Sequence, residues 1–501
     1  MFSFFNFSTN IYLFIPEIFI GFCLIVLFLV LIYDRLVSKV IDQTTGQIIS
    51  KSLVINNSLL YLIFFSLVYL FHLYVNMDAC NYEGDSFTVS PLLLFSKKLY
   101  VIITVFSLIL FIKYNQFIVG ITLEFFFAFF FVFFSSLLLL QSNNLIVFYI
   151  LIEIQSIVLY FLIAFDRASS ISAESGLKYF LTSIFMSIIF LLGISFIYIT
   201  FGTTNLSLLS LMLYRLVDIG LSLYGFIFIF IFIFFKLAVV PFHFWALEVY
   251  EGASWPVISI LAVISKLPLI IFLIKFFVVV SFDINLNVNL LLILINIFGI
   301  FSIIVGTFGA VYYMNIRKIL VYSGITNIGY VLLALGASSL LSIIFVYIYF
   351  IFYMFVVLLL VSFILLIFGV KFKDYTFQFK GLAIKYSYIA LLFLLLFFIL
   401  VGLPPFAGFW TKFLLIYSML ITGSLFKALF VFISNILSAV YYLRIVKEMY
   451  FGKDNLVIIS LNFKHYLDTF YLFLFIFILF FLCLIMLNFD LFIWIILDLF
   501  I

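Results

Sequence analysis

The 501-residue sequence predicts an all-α polytopic membrane protein, with about fourteen transmembrane helices, two inverted five-helix repeats, and breaks in helices seven and twelve. Three observations carry that reading. Of its residues, 68% are hydrophobic and only 9% charged, whereas soluble domains carry about 25% charged residues; the mean hydropathy is +1.45. Apolar runs near the ~20 residues that cross a bilayer fill the chain almost end to end. The basic residues, finally, gather in alternate loops between these runs.

The runs cover 11–33, 53–75, 95–114, 117–140, 144–165, 175–200, 222–246, 256–280, 287–308, 316–336, 340–369, 386–422, 424–450 and 468–490. The third has Lys97 and Lys98 near its start. The twelfth is too long for one helix and contains Gly402, Pro404, Pro405 and Gly408. It reads as two half-helices, because proline has no N–H to continue the helix. Met1–Asn10 lacks a basic region and the run behind it is span-length, so no cleavable signal is expected.

Loop charges test the count. Loops after odd-numbered spans hold Arg35, Lys39, Lys51, Lys113, Arg167, Arg317, Lys318, Lys371, Lys373, Lys380, Lys385, Arg444, Lys447, Lys453 and Lys464. Loops after even-numbered spans hold little beyond Arg215, with Lys97 and Lys98 at a span edge. Missing one span would scramble this alternation. By the positive-inside rule the odd loops face the matrix or cytoplasm. The loop after span seven breaks the pattern: it reads as a short acidic turn with Glu248 and Glu251 and no basic residue.

Spans four to eight and nine to thirteen form two five-helix units. Lys236 precedes Pro241 in one, and Pro404 and Pro405 precede Lys412 in the other. Interrupted helices at matching places in two halves point to an ion path. Five is odd, so successive units are inverted in the membrane.

An ionisable residue at mid-span costs about 2.5–3.5 kcal/mol and is a functional candidate by default. Four stand out: Glu153 in span five, Lys236 in span seven, Lys266 in span eight, and Lys412 after the break in span twelve. Burial disfavours the charged forms of carboxylate and ammonium alike; held together, they keep each other charged. Glu153 and Lys236 could therefore form a two-residue proton switch. The alternatives are snorkelling for Lys236, a structural ion pair for Glu153, and satisfaction of free carbonyls at the break for Lys412. His243 could relay protons, since imidazole titrates near neutrality, or be structural. Lys178 reads as snorkelling, Glu124 and Glu17 as near-interface residues, and Lys275, Lys427 and Arg444 as reaching headgroups.

Other chemistry is excluded. Cys23, Cys80 and Cys483 lie far apart without ligand spacing. His72, His243 and His465 cannot supply paired haem ligands, and no phosphate loop or dinucleotide fingerprint is present. The chain itself is expected to perform no redox chemistry and to bind no nucleic acid. Its 76 Phe and 31 Tyr, against 22 Gly and 7 Pro, point to a very AT-rich genome, typical of some organelles.

The stretches at 140–165, 174–181, 235–257, 315–335 and 402–413 together carry a resemblance. The chain resembles the antiporter-like subunits of proton-pumping NADH:ubiquinone oxidoreductase, respiratory complex I, and among them the subunit 2 branch. The Glu153–Gln155–Ser156 pattern and the Gly408–Phe409–Trp410–Thr411–Lys412 ending favour that branch. The match runs from Pro16 to about Tyr450; the first 115 residues, the 76–94 loop and the last 45 residues match weakly.

The resemblance implies an N-terminal three-helix segment at 1–116, a first five-helix repeat at 117–281, a second, inverted one at 287–450, and a C-terminal helix at 451–501. It assigns Glu153, Lys236, Lys266 and Lys412 to a proton path, to which the imidazole chemistry of His243 adds a fifth candidate. It implies proton translocation coupled to NADH oxidation and ubiquinone reduction in other subunits, which hold the flavin, iron–sulfur clusters and quinone; this chain holds no cofactor. Implied partners are neighbouring membrane-arm and antiporter-like subunits and lipids such as cardiolipin, in the mitochondrial inner membrane, with the chain organelle-encoded. A transport subunit of a multi-subunit Na⁺/H⁺ antiporter, or a structural spacer, are the rival readings.

Overall fold

The computed structural model describes residues 82–117, 123–166, 169–215, 220–281, 286–368 and 374–452 apart from 405, with scattered helical residues within 17–29. The second and fourteenth expected spans and most of the first lie outside the described residues. The remainder is helical, with one small hairpin, β1 (Tyr82–Glu83) and β2 (Thr88–Val89). Among the described residues, ten helices are long and apolar enough to cross a membrane, joined by a shorter apolar pair. This is an all-helical, multi-pass membrane protein.

Helix α1 (Pro91–Phe117) precedes α2 (Leu123–Gln141), α3 (Leu145–Ile163) and α4 (Ser170–Phe201). A short helix α5 (Leu206–Arg215), which no apolar run announced, leads to α6 (Gly220–Leu237) and α7 (Phe244–Gly252). Expected span eight is α8 (Trp255–Ser259), a π-helical turn (Ile260–Ile264) and α9 (Lys266–Ser281). Then come α10 (Leu286–Tyr312), α11 (Ile316–Leu335) and α12 (Leu340–Phe368). After a 3₁₀ turn (Thr376–Phe379) and the single turn α13 (Leu382–Lys385) follow α14 (Ser387–Val401), α15 (Ala407–Ile421) and α16 (Leu425–Phe451).

The π-turn has a local cause. Pro268 has no N–H for the carbonyl of Ile264, and the helix widens just before it, Ser265 N–H donating to Ile260 O at 3.0 Å.

The break expected in span seven is present: its helix stops at Leu237, and residues 238–243, Pro241 among them, are non-helical. One expectation beyond it is corrected. The acidic segment is not a turn. Without Gly or Pro between Phe244 and Glu251, it closes into α7, which carries Glu248 and Glu251.

The two helix breaks use the same device. At the end of α6, Ala238 adopts positive φ (61°), its N–H donates to Phe235 O at 3.0 Å, and Val239 N–H donates to Phe234 O at 2.8 Å. At the end of α14, Gly402 has φ 83°, its N–H donates to Ile399 O at 3.1 Å, and Leu403 N–H donates to Phe398 O at 3.2 Å. Both are Schellman caps, which satisfy carbonyls that a helix end leaves free. Pro241 and Pro404 follow within three residues and bar helical continuation.

A second device also recurs. Asn144 caps α3 by accepting from Ile146 N–H, and Asn315 caps α11 by accepting from Arg317 N–H, both at 2.9 Å. Each cap pairs with the segment after the next helix. Leu145 N–H donates to Thr204 O and Leu206 N–H to Asn143 O, just as Ile316 N–H donates to Asp374 O and Thr376 N–H to Met314 O.

Burial locates the centre. The segment Trp255–Val278 is buried almost throughout, Ile316–Leu335 94% and Leu340–Leu365 89%, whereas α4 and α16 are only 33% buried and present apolar side chains outward. In lipid that outward face is ordinary, and close approach between helices depends on small residues. A Cβ on Gly306 would lie 2.5 Å from the Thr326 side chain, so α10 packs directly on α11. The three central segments carry Lys266, Asn327 and Tyr353.

Candidate proton-conducting site

Lys236 is the penultimate residue of α6, only 6% exposed, and its Nζ has no hydrogen-bond partner. It faces aromatic rings, 5.4 Å from the Tyr179 centroid and 5.7 Å from that of Phe232. Tyr179 stacks on Trp245 of α7, whose indole N–H donates to Phe235 O at 2.9 Å. Both sides of the break thus pack around this ammonium, and snorkelling is not its arrangement. Glu153 on α3 is half-buried; its charge couples to Lys236, and Ser187 of α4 and Ser156 lie against the carboxylate. Its Oε1 and the Lys236 Nζ each lack a hydrogen bond, so the two charges act across a gap.

Lys412 is anchored differently. From α15 its Nζ donates back to Leu400 O at 2.8 Å and Val401 O at 3.0 Å, and to Asn435 Oδ1 of α16 at 2.7 Å. The carbonyls belong to the C-terminus of α14, where backbone partial charge is negative and a cation is favoured. The alternative in which Lys412 satisfies the break is therefore what is seen. The close approach requires Gly408, since a Cβ there would stand 1.8 Å from Ile399 O.

Lys266 opens α9 beside the π-turn and is 8% exposed. Its Nζ lies 3.8 Å from where a Cβ on Gly324 would be, and the Tyr353 hydroxyl 3.4 Å from the same point. Tyr353 interacts with Ser323 and Asn327, and Tyr349 donates to Asn327 Oδ1 at 2.8 Å. A cavity of about 20 Å³ is lined by Asn327, Tyr349, Tyr353, Thr411 and Lys412, which is room for about one water. The central lysine thus lies near Tyr353, which together with Asn327 and the twelfth-span lysine lines a water-sized space. No chain of side chains joins Lys236 to Lys266 among the described residues.

Sequence reading missed Tyr349, Tyr353 and Asn327. One signal was present: Ser323, Thr326, Asn327 and Tyr330 recur at helical spacing on an apolar span, marking a polar stripe.

His243, 5% exposed, starts α7 with its Nδ1 unpartnered and its ring 6.4 Å from that of Tyr322 on α11. The acidic face of α7 has its counter-charges nearby. Glu248 pairs with Lys178 at 2.5 Å and Glu251 with Lys318 at 3.0 Å. Arg317 donates to Glu251 O at 2.6 Å and Ala253 O at 2.8 Å, and pairs with Asp374 at 3.1 Å. Burial pushes the Asp374 carboxyl above the usual aspartate range, against the pull of Arg317. The break in the charge pattern is therefore local compensation: α7 lies among lysines that start α4 and α11. Lys178 is paired with Glu174 and Glu248 rather than simply snorkelling.

Two further assignments are corrected. Lys275 does not reach headgroups; it donates to Leu140 O at 2.7 Å, because the end of α2 offers free carbonyls beside α9. Lys427 likewise caps Gly336 O at 2.8 Å. Glu17, 3% exposed, is ion-paired with Lys97 near the start of α1.

Residues 142–438 match the family described as NADH:quinone oxidoreductase/Mrp antiporter, transmembrane. The NADH-quinone oxidoreductase subunit N of Pelagibacter ubique (strain HTCC1062) is 28% identical over 455 residues, 89% of this chain and 90% of that protein. The NADH-ubiquinone oxidoreductase chain 2 of Metridium senile is 31% identical over 320 residues, covering 63% of this chain and 80% of that one. A chain of respiratory complex I from Thermus thermophilus with bound aureothin shares the fold, with a TM-score of 0.64 over 77% of this chain and 83% of that chain at 21% identity. The chain belongs to the NADH:quinone oxidoreductase/Mrp antiporter family of membrane proteins.

Proposed function

We propose that this chain is a membrane-arm subunit of a respiratory NADH:quinone oxidoreductase, complex I, and that it moves protons across the membrane. The observation that carries the reading is the pair of equivalent helix breaks bearing Lys236 and Lys412, with Lys266 near Tyr353, which lines a water-sized cavity with Asn327 and Lys412. Protons enter near Lys236, pass Lys266 and leave near Lys412. Glu153 sets the switch: near Lys236 it holds the ammonium charged, and its withdrawal lets the proton go. His243 stands at the entry side. Moving one charge against 100 mV requires about 2.3 kcal/mol, within reach of one such charge pair. NADH oxidation, with its flavin, iron–sulfur clusters and quinone, belongs to other subunits, and this chain holds no cofactor.

The full topology in this reading has fourteen spans, with inverted five-helix units at 117–281 and 287–450 flanked by segments 1–116 and 451–501. The recurrence of both the Schellman breaks and the Asn caps supports it. The odd-numbered loops face the matrix, in a mitochondrial inner membrane containing cardiolipin, with other antiporter-like subunits as neighbours. The family description also spans Mrp antiporters, which makes a Na⁺/H⁺ antiporter subunit the second reading. Mass spectrometry of the intact purified assembly separates them: copurification with flavin and iron–sulfur subunits is expected, and an assembly of membrane subunits alone would overturn the proposal.

A further inference from the structure

A second group of buried ionisable residues lies at the opposite end of the bundle from α7. Glu17 accepts from Lys97 Nζ in a buried ion pair, the two side chains 3% and 1% exposed, and also accepts from Gln141 Nε2 at 3.3 Å. Lys275 is half-buried at the rim of this group. Its Nζ donates to Leu140 O at 2.7 Å and, at 3.4 Å, to Ser142 O and the Thr88 hydroxyl. The β1–β2 hairpin covers the rim: Asn143 N–H donates to Ser86 O at 2.9 Å and Asn143 Nδ2 to Gly84 O at 3.0 Å.

The charge balance is uneven. Glu17 and Lys97 neutralise each other, whereas Lys275 Nζ donates to three neutral oxygens, and Lys97 repels it. Among the described residues, the other titratable groups at this end include Lys98 and Tyr100 on α1, Tyr347 on α12, which shares a cavity with Ser96 and Ile270, and Asp85 of the hairpin, which accepts from Asn205. Three neutral oxygens could be served by any donor. A lysine differs from an arginine or an amide in that it can also lose its proton. Lys275 stands nine residues beyond Lys266 on α9, about 14 Å along the axis and on the opposite helix face, so it is separate from the surroundings of Lys266 and Lys412.

We infer that Lys275, backed by the Glu17–Lys97–Gln141 cluster, is a second proton-exchanging site serving the membrane face opposite α7. An Nζ–H bond breaks, the proton passes to water beside the hairpin, and the neutral amine stays on its oxygens until another proton restores it. This rests on the proton-translocating reading above.

The test uses the assembled complex in sealed proteoliposomes, with Lys275→Met and Lys275→Arg variants. Assembly, quinone reduction and protons moved per NADH are measured while pH is varied on the face opposite α7. Arginine keeps the charge and the donors but cannot deprotonate. Loss of protons per NADH in both variants, with Lys275→Arg assembled, is the expected result. An assembled Lys275→Arg complex with unaltered protons per NADH overturns the inference, since donation alone then suffices. Should neither variant assemble, Thr88→Val decides: a shifted pH profile on that face supports the site, and an unshifted one overturns it. Normal pumping in Lys275→Arg beside lost pumping in Lys236→Ala would remove this second site and leave the main path standing.

Discussion

Gly408→Ala offers a graded perturbation of the second helix break. The added methyl would stand 1.8 Å from Ile399 O, against an ordinary contact distance of 3.4 Å or more, so α15 must withdraw from α14 by more than an ångström. Lys412 lies one turn further on the same face. Its bonds to Leu400 O and Val401 O, now 2.8 and 3.0 Å, would stretch past hydrogen-bonding range. A hydrogen bond to a charged group contributes about 1.5–3 kcal/mol, so losing two frees the ammonium from the cavity it shares with Asn327 and Tyr353. The assay is proton uptake per NADH oxidised by purified complex in vesicles, with assembly followed on native gels. The variant is expected to assemble at reduced yield and to pump fewer protons per NADH. Full assembly with unchanged pumping would refute the claim that Lys412 must be fixed at the break.

Three other outcomes follow from the geometry. Tyr353→Phe keeps the ring and removes the hydroxyl between Lys266 and Asn327; proton movement should slow while assembly stays normal, and an unchanged pumping rate would exclude this tyrosine from the path. Lys318→Glu and Glu251→Lys should each weaken the seating of α7 and lower coupled activity, while the double swap restores it; the non-additivity of such a cycle measures the pair. Ala238→Gly should raise the melting temperature of the purified complex by relieving the left-handed conformation at that cap, worth about 1–2 kcal/mol for a non-glycine residue. Ala238→Val should lower it.

The helical spans and the break after α14 were legible because their signals are local. Apolar runs set the spans, and Gly402 with Pro404 announces a stop. The break after α6 was marked by Pro241 alone, because an alanine, not a glycine, takes the left-handed position three residues before it. The partners of Glu248 and Glu251 were hidden for another reason. Lys178 and Lys318 lie about 70 residues to either side, and only the fold brings them to α7. The charged members of the site announced themselves by their cost in lipid. Tyr349, Tyr353 and Asn327 are neutral, and two tyrosines among 31 carry no compositional signal. Lys275 was misread because its distance from a span end suggested lipid headgroups, while the carbonyls it caps belong to a helix far away in sequence.

The most direct test of proton conduction through this chain is the proton-to-NADH ratio of an assembled complex carrying Lys236→Ala, measured in sealed vesicles beside its quinone reductase rate. Lys236 is a buried ammonium without a hydrogen-bond partner whose charge couples to Glu153, so on the proposed path the ratio and the coupled rate should both fall. An unchanged ratio at an unchanged rate would contradict the path.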